Sequence, residues 1–130
     1  MPMSETVDDF SAMISAFFGG ADDHVVEATA EALLNSDPRR FSSETQAHTQ
    51  ALRRAVETEF PDLTSYRQQE LAALLRCIGS AQTWLRMREE FGLPGSRSGP
   101  LVAWAIELIL DGARAGNVPG TVGSEIGEPA

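Results

Sequence analysis

The stretch GPLVAWAIELILDGARAG, residues 99–116, decides the fold. Between Leu101 and Leu110 its only polar residue is Glu107. The spacing predicts a helix with two apolar stripes where a surface helix carries one. Leu101, Ala105, Leu108 and Gly112 share one line, and Val102, Ile106 and Ile109 share the adjacent one. Trp104 and Leu110 widen the apolar arc further. One stripe serves the chain's own core. A second stripe left in water forgoes ~1.5–3 kcal/mol for each large side chain, and monomers seldom leave such a patch contiguous. Either this helix is the centre of a monomeric bundle, or a second chain covers its outer stripe. Its place as the last helix of the chain favours the second chain.

Upstream, apolar residues keep helical spacing, and no alternating run suggests a strand. A first helix is predicted from about Ser4 to Phe18, with Val7, Phe10, Met13, Ile14, Phe17 and Phe18 inward and Gly19-Gly20 as its stop. A second begins at Asp22 as N-cap, turns Val25, Val26, Thr29, Leu33 and Leu34 inward, and ends at Asn35-Ser36-Asp37-Pro38. A third follows Phe41. It starts at Ser43, where Gln46 completes a capping box, and buries Ala47, Leu52, Ala55, Val56 and Phe60 before Pro61. The fourth and longest runs from Ser65 to about Phe91, with Leu71, Leu74, Leu75, Ile78, Ala81 and Leu85 as its stripe; Gly92 and Pro94 break it. The fifth is the 99–116 helix, capped near Ser98 with Pro100 in its first turn. Residues 117–130, NVPGTVGSEIGEPA, are expected to form a disordered tail.

The expected fold is therefore all-α: an antiparallel bundle of about five helices over residues 1–116, in one domain. The last two long helices would form a four-helix interface with their copies around a two-fold axis. The residues expected there are Ile78, Leu85, Leu101, Trp104, Ala105, Leu108 and Gly112. Small residues at Gly79-Ser80-Ala81 and Gly112-Ala113 would let the backbones of the pair approach closely.

Charge narrows the function. The net charge over 130 residues is −9, and every cation is an arginine. Residues 1–37 hold eight acids and no base. Nucleic-acid domains concentrate Lys and Arg on one face, so no direct nucleic-acid binding is expected. One cysteine, Cys77, allows no internal disulfide, and a reducing, cytoplasmic setting is the simpler reading. The acidic opening MPMSETVDDF lacks the cationic and apolar regions of a signal peptide. The longest apolar run, Leu101–Ile106, is too short to span a bilayer, and no membrane partner is expected.

Catalytic and metal signatures are missing: there is no G-x-S-x-G, H-E-x-x-H or phosphate loop, and cysteines are not paired. Neither enzymatic activity, a cofactor nor a metal is expected. His24 beside Asp22 and Asp23 reads as an exposed helix start. Cys77, in the apolar part of the fourth helix, reads as a buried structural thiol. Met13, Phe17, His48, Leu52 and Trp84 are the candidates for the wall of a ligand cavity.

Residues 71–116 resemble the C-terminal end of TetR-family transcriptional regulators. The likeness lies in a long helix closing on WLRMREEFGL (Trp84–Leu93), a Gly-rich joint, and a helix carrying AWAIELILDG (Ala103–Gly112). EALLNSDPRRF (Glu31–Phe41) is similar to the family's helix, Asp-Pro turn and next helix ahead of that pair. The resemblance implies a domain that homodimerises through its last two helices and senses a small apolar or amphipathic effector among the earlier ones. The family's N-terminal helix-turn-helix head has no counterpart here, for no Lys or Arg precedes residue 22. The chain is then expected to be a fragment, the product of a misassigned start, or a natural headless regulator. In the last case it would serve as an interaction module that pairs with a full-length regulator.

Overall fold

The computed structural model describes residues 6–35, 37 and 43–120. The expected helix start at Ser4, the turn residues Ser36 and Pro38, Phe41 and residues 121–130 lie outside them. The regular structure is all helical: α1 (Val7–Ala21), α2 (Val25–Leu34), α3 (Ser43–Glu59), α4 (Ser65–Ile78), α5 (Ala81–Phe91) and α6 (Gly95–Arg114). Among the described residues, no helix is long and apolar enough to cross a membrane.

The principal packing is α1 against α6. Val7, Phe10, Ile14 and Phe18 of α1 repeat at three- and four-residue intervals, and all are buried. They meet the inner stripe of α6, Val102, Ile106, Leu110 and Ala113. The two helices run antiparallel. Asp22, just past the end of α1, meets Gly95 at the start of α6, and Arg114 at the end of α6 bonds Asp8 at 2.6 Å. Glycine sets their separation. A Cβ on Gly99 would stand 2.8 Å from the Ser15 carbonyl oxygen, and one on Gly95 would overlap the Phe18 carbonyl. Of the glycines expected at a contact between two copies, Gly79 is buried against Ile14 and Phe10 of its own chain, while a Cβ on Gly112 would meet only the Asn117 carbonyl oxygen, at 3.4 Å.

The other helices pair around this axis. α3 packs on α4, with Gln68 donating to the Phe60 carbonyl at 2.9 Å and Arg76 donating to Thr49 at 3.3 Å. α2 packs on α5, where the Gln82 amide donates to the Ala32 carbonyl at 2.7 Å. Leu52, Ala55 and Val56 of α3 and Phe60 just after it are buried as expected, while Ala47 is exposed.

Several boundaries differ from the sequence reading, each for a local reason. The expected fourth helix is two. Gly79 caps the end of α4, and Ser80 caps α5 with its hydroxyl accepting from Thr83 N–H at 3.3 Å. Both the Ser80 and Thr83 hydroxyls donate to the Cys77 carbonyl at 2.8 Å. These side-chain bonds give the backbone an alternative to continuing the helix. Thr64, not Ser65, caps α4. Gly19-Gly20 does not stop α1, which continues to Ala21, because neither glycine takes a positive φ. Gly92 does stop its helix, at φ +67 with Leu93 N–H returning to the Met87 carbonyl. On α2 the buried residues are Ala28 and Ala32; Val26, Leu33 and Leu34 face water.

Candidate functional site

The site begins with how α6 is held. Its N-cap is Pro94, which has no side-chain donor or acceptor to offer its first N–H groups. Asp22 supplies the cap from across the fold. Its two carboxylate oxygens accept from Gly95 N–H at 2.6 Å and Ser96 N–H at 2.9 Å. The sequence reading placed Asp22 as the N-cap of α2; that position belongs to the exposed His24, which makes no side-chain cap bond. Ser98, expected to cap α6, lies one turn inside the helix and is buried. Desolvation opposes the charge on Asp22. The Gly95 and Ser96 N–H groups, the Trp84 indole and Arg88 at 3.9 Å outweigh it, and its pKa falls below the usual 3.8. The Trp84 Nε1–H lies near this carboxylate but outside hydrogen-bond geometry.

With α6 fixed this way, its outer stripe faces water. Leu101 is 44 % exposed, Trp104 58 % and Leu108 52 %, with Ala105 and Gly112 half-buried between them. Glu107 is drawn to the α1 side by the Ser11 hydroxyl at 3.3 Å and leaves the stripe uncharged from Leu101 to Leu108. α4 extends the face with Ile78, half-buried, and with Leu74, which is 44 % exposed. Leu85, on α5, is half-buried and packs on the core.

Two hollows flank the stripe. One, of about 420 Å³, runs between α4, α5 and α6 and is lined by Cys77, Ile78, Met87, Leu101 and Trp104 among others. Cys77 is exposed here, contrary to its reading as a buried thiol. The other, of about 590 Å³, lies between α4 and α6. Its third wall is the chain after α6, where Asn117 N–H donates to the Gly112 carbonyl at 2.8 Å and Val118 and Pro119 turn back over the opening. Residues 117–120 were expected to be disordered, and this backbone bond holds their start in place. Sequence reasoning missed Leu74 and this return. A signal for Leu74 existed, because Leu71, Leu74, Leu75 and Ile78 together cover more arc than one buried stripe needs.

The five residues expected to wall a ligand cavity lie apart from both hollows. Leu52 and Trp84 are fully packed core, and Met13 and Phe17 lie partly buried against that core. His48 is half-buried on α3. None of the five lines either hollow. Trp84 is fully buried, with the Arg88 guanidinium carbon over its ring at 5.9 Å and the Asp22 cap nearby. Among the described residues no group of three His, Cys, Asp or Glu side chains is arranged to hold a metal ion. Comparison with family models, curated proteins and solved structures finds no match to this chain.

Proposed function

We propose that the chain is a self-pairing helical module, the dimerisation and effector-sensing core of a regulator of the TetR-like kind that residues 71–116 resemble. The observation that carries this reading is the outer stripe of α6. Leu101, Trp104 and Leu108 stand in water on a helix whose opposite side is fully buried. A second copy suits it because the stripe is uncharged, so two chains of net charge −9 meet there without opposing charges at the contact. The module works in a reducing, cytoplasmic setting, where the exposed Cys77 stays a thiol. Contact with DNA is no part of its role, since residues 1–37 carry eight acids and no base.

Magnitudes set the strength of pairing. Leu74, Leu101, Trp104 and Leu108 are each about half exposed, and finishing their burial in two copies yields roughly 6–12 kcal/mol. Association costs ~4–15 kcal/mol in lost freedom. The most favourable difference, about 8 kcal/mol, corresponds to a micromolar dissociation constant, so pairing is expected at micromolar concentration or above and not at nanomolar. Sedimentation equilibrium tests this. The average mass should rise from 14.0 kDa toward twice that value as concentration increases. Trp104→Glu and Leu108→Arg, both at exposed positions, should stay at the monomer mass with unchanged helix content. A wild-type chain that remains at 14.0 kDa throughout overturns the proposal.

A further inference from the structure

We infer that the 590 Å³ cleft between α4 and α6 binds a small uncharged molecule with an apolar body and a hydrogen-bonding group at one end, and that filling it opposes self-pairing. The first half gives the effector sensing proposed above a site and a ligand class, and the second half rests on the pairing proposed with it.

The cleft has the size of a small-molecule site, within the range of ~300–1,000 Å³. Its walls come from three parts of the chain: Leu71 and Leu74 on α4, Leu108 and Ile109 on α6, and Val118 and Pro119 after it. The third wall is tied down at its start and passes over Arg67 at its end. Asn117 N–H holds the Gly112 carbonyl, and Gly120, at φ +76, lies so close over Arg67 that a Cβ there would stand 3.1 Å from the guanidinium. The lining has two ionisable groups, Arg67 and Glu70, and they neutralise each other across 3.0 Å. A charged ligand would have to break that pair to find a counter-ion, whereas an uncharged one leaves it intact. Asn117 brings an amide to the lining that can both donate and accept, which suits one polar end on an otherwise apolar molecule.

The coupling follows from shared surface. Leu74 and Leu108 line the cleft together and are both about half exposed on the face proposed for pairing. A ligand lying over them covers apolar area that a second copy would otherwise cover. By linkage, each then weakens the other to the same degree.

N-phenyl-1-naphthylamine, an uncharged amine that fluoresces in apolar surroundings, is the probe. Titrated into the full chain, it should give a saturable signal at one probe per chain and slow hydrogen exchange at the Asn117, Val118 and Gly120 amides. Leu74→Arg should weaken the probe by about tenfold or more, while Trp104→Glu, whose side chain lies outside this cleft, should bind it at least as well as wild type. At fixed wild-type concentration the probe should lower the average mass. Equal probe affinity in Leu74→Arg, or unchanged exchange at 117–120 in wild type, overturns the site; the exchange measurement needs no variant to fold. A mass that the probe leaves unchanged in a dimerising wild type overturns the coupling. A wild type that never dimerises removes the pairing proposal and the coupling together, and the fluorescence and exchange results then decide the site alone.

Discussion

Asp22 shows how one side chain can fix an element 73 residues away. Its carboxylate takes two N–H groups at the start of α6, where the helix dipole also favours a negative charge. Caps of this kind contribute ~0.5–2 kcal/mol, and this one holds the helix that carries the candidate face. Asp22→Ala should therefore lower stability by about 1–2 kcal/mol at neutral pH, measured as a fall in the urea midpoint with little change in slope. The pH dependence has a definite sign. The carboxyl pKa is lowered from 3.8 in the folded chain, so the unfolded chain binds the proton more readily. The stabilisation is then full above pH 3.8 and is lost as pH falls through the folded value. Across that window the wild-type midpoint should drop toward that of Asp22→Ala. Parallel curves for the two proteins would show that the charge on Asp22 does not matter.

Between elements, glycine does two different jobs that sequence alone does not separate. Gly99 lies where α6 crosses α1, and a Cβ there would stand 2.8 Å from the Ser15 backbone carbonyl. Gly19 has no atom within 4 Å of the same construction. Alanine gains ~1 kcal/mol of helix propensity at either site, but overpacking against backbone costs ~1–3 kcal/mol. Gly99→Ala should thus destabilise and Gly19→Ala should stabilise, and thermal unfolding of the two variants gives shifts of opposite sign. The same contrast explains what could be read in advance. The stripes of α1, α3 and α6 were legible because large apolar residues alternate there with polar or small ones at helical intervals. α2 was not, since VVEATAEALL is apolar at most positions and its period selects no face. The bond from Gln82 to the Ala32 carbonyl and the packing of α5 make that choice. The α4–α5 break depended on whether Ser80 bonds locally or points away, which residue spacing leaves open. The outer stripe of α6 was read correctly as surplus apolar surface. Leu52 and Trp84, expected beside a ligand, are packed in the core, and side chains of this kind are equally suited to lining a hole and filling one.

At the scale of the molecule, the proposed pairing joins two bodies that repel each other. Each copy carries a net charge of −9, and Asp8, Asp9, Asp23, Glu27 and Glu31 are all exposed on the first two helices or the turn between them. The outer stripe of α6 adds no compensating cations, so opposite charges across the contact do not assist association. Long-range repulsion remains, and it is screened over ~10 Å at 0.1 M salt but over ~30 Å at 0.01 M. Raising ionic strength should consequently strengthen the dimer, by several-fold in dissociation constant over that interval, through weaker repulsion at an unchanged apolar contact. An interface built on ion pairs would show the reverse dependence. Sedimentation equilibrium at the two salt concentrations separates these cases. Association that weakens with added salt would move the contact away from the Leu101–Trp104–Leu108 stripe and onto the charged surface, where Arg86 and Glu90, exposed and paired at 3.2 Å on α5, represent the kind of group that would then mediate it.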